Sequence, residues 1–195
     1  MQIPFYFDYA CPWAYLGNCR VEPYFQDTGA IDFRPVYLAE LREKEAGPQS
    51  LGGMGERKKK AYMDDMRHWS TMIGADFGNV TGPRPDTRLL LQAALVAKDA
   101  GRFREFHYPA YRARWAEGKD VADAAVVRAL LAGAGIDADA ALARAQSDAL
   151  RARLDADTQA AIARGVFGVP TVFVGDEMFW GNDRFELARW YAQKA

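Results

Sequence analysis

Cysteine and histidine are scarce in this 195-residue chain, with two of each. Cys11 and Cys19 are too few for the disulfide framework that staples small secreted domains. Placed on one helix they would stand eight residues apart, about 12 Å, too far for a bond between them. His68 and His107 cannot make a histidine-rich metal site, and nothing has zinc-ligand spacing. Both are expected to be surface or packing residues. An excess of one charge is also missing: 25 basic and 26 acidic residues leave a net charge of −1. That balance gives no electrostatic footing for nucleic acid or an anionic membrane. No apolar run reaches membrane-spanning length, and the first residues lack a basic stretch followed by an apolar one. No nucleic-acid partner, no membrane association and a reducing cytoplasm are therefore expected. No repeat of fixed period and no low-complexity tract is visible. The chain is long enough to bury roughly 70% of its unfolded surface, in one domain or a domain with a large insertion.

One stretch organises the rest: Phe5-Tyr6-Phe7-Asp8-Tyr9-Ala10-Cys11-Pro12-Trp13-Ala14-Tyr15-Leu16-Gly17. It reads as a short apolar strand, a tight turn and a helix. Pro12 suits a first helical position, where its missing N–H would be unpaired anyway. Cys11 then sits at a helix N-terminus, where free amides and the dipole favour an anion. Its thiol is expected to ionise below the reference of about 8.5 and to be a candidate catalytic group. Cys19 is expected to be a packing residue.

The first strand is expected over residues 3–7, with hydrogen bonding beginning after Pro4. A helix follows from Pro12 to Phe25, burying Trp13, Leu16, Val21 and Phe25, with Pro23 kinking or shortening it. Residues 31–38 alternate as a second strand, and Pro35 points to an edge position. A Gly-rich loop from Lys44 to Glu56 precedes a helix over 57–73 that starts basic, with Lys58, Lys59 and Lys60. A second loop, 74–85, leads to a helix capped by Asp86 and closed by Gly101. Further helices are expected over 103–115, with a kink at Pro109, and over 121–132, capped by Asp120 or Asp123. A helical stretch from Asp137 to Gly165 is broken near Ser147. The chain then changes character. Residues 166–174 are rich in β-formers, Gly175-Asp176 is a hairpin turn, and 177–180 return as a strand. Asn182 or Asp183 caps a last helix. Of the aromatics, Trp13, Tyr15, Trp69, Phe179 and Trp180 are expected mostly in the core, with one or two lining an apolar pocket. A block of helices inside a β-α-β…β-β-α frame is an α/β sheet carrying a helical insertion.

That frame resembles the thioredoxin fold of the DsbA and kappa-class glutathione transferase type, with an inserted all-helical domain. Residues 1–43 and 161–195 would form the thioredoxin-like part and 44–160 the insertion. Val169-Pro170-Thr171 resembles the cis-proline loop that faces the active-site helix, so a cis Val169–Pro170 bond beside the Cys11 turn is implied. The motif Phe7 to Leu16 is similar to one shared by 2-hydroxychromene-2-carboxylate isomerases and kappa-class glutathione transferases. The run 166–171 followed by Glu177-Met178-Phe179-Trp180-Gly181-Asn182-Asp183-Arg184 resembles the C-terminal motif of the isomerases. The resemblance implies a glutathione cofactor lying across a cleft. Its cysteinyl backbone would pair with Val169 before Pro170, and its γ-glutamyl end would meet Asn182, Asp183 and Arg184. Lys58 or Lys59 would hold the other end. It also implies a small aromatic substrate from aromatic catabolism and a homodimer.

This chain departs from the family at Cys11, where serine is usual. Disulfide oxidoreductases of DsbA type have cysteine there and a second cysteine three residues on, where this chain has Ala14. Without that resolving thiol no intramolecular disulfide can form, although a mixed disulfide with glutathione could. The activity implied is glutathione-dependent opening and cis–trans isomerisation of a chromene carboxylate to a benzylidenepyruvate, by thiolate addition and elimination. Cys11 either supports the glutathione thiolate or attacks directly. The alternatives are a single-cysteine thiol oxidoreductase or kappa-like transferase, and a non-catalytic module that binds glutathione or a protein.

Overall fold

The computed structural model describes residues 1–44, 54–78 and 84–194. Most of the Gly-rich loop expected after Lys44, and residues 79–83 of the second loop, lie outside the described residues. Four strands form one mixed sheet: β1 (Gln2–Phe7), β2 (Ala30–Pro35), β3 (Thr171–Val174) and β4 (Glu177–Trp180), in the order β2-β1-β3-β4. β1 and β2 run parallel, joined by α1 (Pro12–Phe25), while β3 is antiparallel to both β1 and β4. Pro35 is on an edge strand, where a missing N–H leaves no ladder gap. Pro4 acts on one side only. β2 pairs from Gln2 onward, whereas β3 pairs with Phe5 and Tyr6 alone, so only the β3 side begins after the proline.

Between β2 and β3 lie α2 (Leu38–Glu43), α3 (Glu56–Ile73), α4 (Arg88–Asp99), α5 (Phe103–Trp115), α6 (Ala124–Gly133), α7 (Ala138–Ala145) and α8 (Asp148–Ala163). A 3-10 turn (Asn182–Arg184) then leads into α9 (Phe185–Ala192). The sheet with its β-α-β and β-β-α ends and the helical block between them is the α/β frame with a helical insertion expected from the sequence. Helix starts follow local chemistry: Asp123, Asp137 and Ser147 each accept an amide of the first turn of α6, α7 and α8. Asp86 accepts the Arg88 amide, although the cap position itself is Thr87.

The bounds of α1 and α5 are those expected, with Pro23 and Pro109 inside them. Three expectations shift. Residue 38 begins a helix rather than ending β2, because Leu38 turns to present its amide to Asp8. Residues 166–170 are loop, and β3 starts only at Thr171. The last helix has no side-chain cap, since the 3-10 turn occupies the place expected for it.

Alternation along β1 sends Phe5 and Phe7 to one face and Tyr6 to the other. Phe5 meets Phe33 and Phe185 edge-on, and Phe7 meets His107 at 4.6 Å and Tyr9 at 5.3 Å. Tyr6 meets Phe173 on the opposite face. Both phenylalanines are fully buried, worth about 1.5–3 kcal/mol each. This aromatic floor carries the turn that follows β1. Among the described residues no helix is long and apolar enough to cross a membrane.

Candidate active site

The turn from Asp8 to Cys11 is held from three directions. The buried Asp8 carboxylate accepts the Ala10 amide at 2.8 Å, the Leu38 amide at 2.8 Å and the Thr87 hydroxyl at 2.6 Å. Burial pushes its pKa up, and these three donors pull it back. From α5, Tyr111 donates to the Asp8 carbonyl at 3.3 Å and Trp115 Nε1 to the Tyr9 carbonyl at 2.9 Å. Tyr9 extends the scaffold: its hydroxyl lies 2.9 Å from His107 Nδ1, and His107 Nε2 lies 2.7 Å from Asn18 Oδ1. The Asn18 oxygen can only accept, which places the imidazole proton on Nε2 and leaves Nδ1 to accept from Tyr9. His107 is therefore a packing residue, fully buried and held neutral, with its pKa pushed well down by burial.

Cys11 takes the cap position of α1 with Pro12 at the first turn. The residue is 4% exposed, and its sulfur donates to the Val169 carbonyl at 3.2 Å. The Val169–Pro170 bond is cis. Gly17 lets this loop approach: a Cβ there would meet Pro170 Cγ at 3.2 Å and Phe185 Cζ at 3.3 Å. The expected acidic thiol is not found. Burial pushes the Cys11 pKa up to about 11, and the amides of Ala14 and Trp13 only partly offset it. A helix N-terminus favours a thiolate only where water or a counter-charge shares the work, and here the sulfur is enclosed. Cys11 is thus a neutral S–H donor at physiological pH.

Beside Val169 opens a cleft of about 340 Å³. One wall is Val169, Pro170, Asn182, Asp183 and Arg184; the other is Trp13 with Trp69 and Asp65 of α3. The structure thus gathers five of the residues singled out in the sequence on one surface. Arg184 and Asp183 form a 3.0 Å ion pair, with side chains 56% and 47% exposed. A pair so exposed contributes at most about 1 kcal/mol to folding, so both groups remain available to a ligand. The Gly181 amide donates to the Pro170 carbonyl at 2.9 Å, and its φ of 103° is one that glycine adopts readily. Asn182 is buried and its Nδ2 has no partner among the described residues. Its carbonyl accepts from Arg20 at 3.1 Å, and the Arg20 guanidinium lies 4.8 Å from the Trp69 ring centre, touching both walls.

Other expected residues fall elsewhere. Lys58 and Lys59 are exposed on the first turn of α3 and do not line this cleft, and Lys60 pairs with Asp64 at 2.5 Å. Cys19 is exposed on α1, not packed, because its position turns away from the sheet. Of Trp13, Tyr15, Trp69, Phe179 and Trp180 only Tyr15 is buried in the core; Phe179 is half-buried, Trp13 and Trp69 are half-buried at the cleft, and Trp180 is 52% exposed beside Phe167. Sequence reasoning passed over Asp8, Asn18, Arg20 and Thr87. Asp8 had a signal, a carboxylate between apolar neighbours at the end of a buried strand; the others had none.

A mixed sheet with this cysteine turn, facing a cis-proline loop, is a thioredoxin architecture. The chain belongs to the family of DSBA-like thioredoxin domains, which matches residues 2–191. Within that class it is 31% identical over 196 residues to a 2-hydroxychromene-2-carboxylate isomerase from Sphingobium xenophagum, covering 97% of this chain and 96% of the relative. A solved 2-hydroxychromene-2-carboxylate isomerase superposes with a TM-score of 0.85 at 29% identity, covering 100% of this chain and 95% of that one. The cytosolic disulfide reductase DsbM from Pseudomonas aeruginosa, solved with glutathione, has a TM-score of 0.69 at 17% identity, covering 100% and 98%, a likeness of fold alone.

Proposed function

We propose that this protein is a glutathione-dependent isomerase of the 2-hydroxychromene-2-carboxylate type. The observation that carries the reading is the cleft wall, where Val169, Pro170, Asn182, Asp183 and Arg184 lie together within reach of the Cys11 turn. These residues suit glutathione. A carboxylate beside a guanidinium matches the charged ends of an amino-acid moiety, and the buried, unpartnered Asn182 Nδ2 is a donor left over in the fold. Lys58 and Lys59, on the exposed start of α3, are the candidates for the glycine end. When bound, glutathione supplies a thiolate able to add to a double bond conjugated with a ketone.

The chain's own residues serve that chemistry in three ways. Arg184 and Asp183 orient the cofactor. Cys11, kept protonated by burial, can turn its S–H from the Val169 carbonyl toward a thiolate, as the hydroxyl of a serine would. Trp13 and Trp69 give a flat apolar surface that suits an aromatic substrate and excludes water. A reducing, cytoplasmic setting accords with two free thiols. A homodimer accords with the exposed Met63 and Met72 of α3, 48% and 66% accessible, and sedimentation at micromolar concentration tests it.

Turnover of 2-hydroxychromene-2-carboxylate, followed by absorbance with and without glutathione, tests the reading. Glutathione-dependent conversion is expected; no conversion at saturating glutathione would refute it. A single-cysteine thiol oxidoreductase is the second reading, favoured by cysteine at the turn. Reduction of a glutathionylated peptide in place of isomerisation would establish it.

A further inference from the structure

The cleft beside Val169 has a volume of about 340 Å³, the size of a pocket for one small guest. Glutathione laid along the wall from Val169 to Arg184 takes up most of it. The ring of a second guest, held at the glutathione sulfur, must then rest at the mouth. The mouth carries an aromatic pair. Trp180, the last residue of β4, lines the cleft and is 52% exposed. Phe167, 36% exposed, meets it edge-on, with ring centres 4.9 Å apart.

Trp180 is held in place from below. Its backbone pairs with Thr171 across the β3–β4 hairpin. Its indole lies on Gly168: a Cβ at that glycine would stand 2.8 Å from Trp180 Nε1. The φ of Gly168 is outside the left-handed region, so space and not backbone freedom asks for glycine there. Thr171 Oγ1 donates to the Gly168 carbonyl at 2.7 Å and fixes the loop beneath the ring. The next residue is Val169, whose carbonyl takes the Cys11 thiol at 3.2 Å. A flat apolar face thus stands one residue from the contact with the Cys11 sulfur. Trp190 is as exposed, but it does not line the cleft, and Lys194 lies over its ring at 4.5 Å.

Exposed aromatic surface continuous with a ligand cleft is a surface kept for the ligand, and an indole gives it a large contact area. We propose that Trp180, laid on Gly168 and flanked by Phe167, is the shelf on which the aromatic ring of the substrate stacks, and so the residue that selects ring-fused enones over ring-free ones. The reaction it serves rests on the isomerase reading; the preference for a fused ring does not. Trp13 and Trp69 belong to the opposite wall, so the shelf supplies an aromatic face on the cis-proline side.

Chromone-2-carboxylate and 4-pyrone-2-carboxylate are the probes, titrated calorimetrically at saturating glutathione. They share the enone and the carboxylate, differ by the fused benzene ring, and cannot isomerise. The wild type should bind the chromone about 10- to 30-fold more tightly, from the ring area buried and the aromatic contact. Trp180→Ala should cut that ratio to about threefold or less, through chromone affinity. Trp180→Phe keeps a flat ring and should hold the ratio within about threefold of wild type. Gly168→Ala puts a methyl where the indole rests and should lower the ratio with Trp180 still present. An unchanged ratio in Trp180→Ala would overturn the shelf. So would glutathione binding that weakens while the ratio holds, since Trp180 would then belong to the tripeptide. Equal losses in Trp180→Phe and Trp180→Ala would make it a packing residue of the loop and overturn the shelf as well. A Trp180-dependent ratio in a protein that does not turn over the chromene would leave the shelf standing and refute the isomerase reading.

Discussion

The Cys11 thiol donates to the carbonyl of Val169 across 158 residues of sequence, at 3.2 Å. This bond closes the turn after β1 onto the loop before β3. It also requires that the sulfur keep its proton. In a difference titration at 240 nm against Cys11→Ser, the wild type should show little Cys11 thiolate signal through pH 9 and a midpoint near 11. A midpoint below 8.5 would mean that the helix amides overcome burial.

In the proposed reaction a protonated Cys11 acts as a helper and not as the nucleophile. Cys11→Ser should therefore retain glutathione-dependent isomerase activity within about tenfold of wild type, one charge-assisted hydrogen bond being swapped for another. The wild type should be inactive without glutathione. A wild type indifferent to glutathione, paired with an inactive serine variant, would make Cys11 the covalent catalyst.

Among the described residues Arg184 has only the exposed Asp183 as an ion-pair partner, so its removal should cost little folding stability. Arg184→Ala should weaken glutathione binding by about 1.5–3 kcal/mol, measured by calorimetry. Unchanged affinity would mean that the last turn does not hold the cofactor.

His107 is buried neutral, with its pKa pushed well below the usual value. Below about pH 6.5 the unfolded chain binds a proton that the folded chain refuses. Stability gained at higher pH is therefore lost as pH falls through the unfolded value, by up to about 1.4 kcal/mol per pH unit from this group. His107→Gln, which can accept from Tyr9 and donate to Asn18, should lack that component. Urea midpoints at pH 7.5 and 5.5 should show the wild type losing more than the variant; equal losses would contradict the assignment.

Gly17 stands where α1 meets the cis-proline loop. Gly17→Val should cost about 1–3 kcal/mol by overpacking against Pro170 and Phe185. Glutathione binding should weaken with it, since Pro170 lines the cleft. Urea unfolding and calorimetry test the two effects separately.

Much of this was readable from local pattern. Pro12 located the start of α1, residues 103–115 are the helix α5 as expected, and the Gly175-Asp176 turn located the β3–β4 hairpin. The resemblance carried by the C-terminal motif implied a common ligand surface for Val169, Asp183 and Arg184, and the three line one cleft. What escaped depends on distant partners. α2 is six residues, too short to show a helical period, and it exists because Leu38 answers Asp8. The ionisation of Cys11 is set by enclosure, which no neighbouring residue in sequence announces. His107 reaches Tyr9 and Asn18 across 98 and 89 residues.

Arg20 makes the cleft a braced opening. Its guanidinium lies against Trp69 on one wall and bonds the backbone of Asn182 on the other, with Tyr24 and Phe185 within 5.3 and 5.7 Å. The separation of the walls is thus set before any ligand arrives. A guest then meets a width already fixed, and little of its binding energy goes to ordering the host. Such an aperture selects by thickness: a planar ring slides between the walls, while a bulky or branched one must first dislodge the brace.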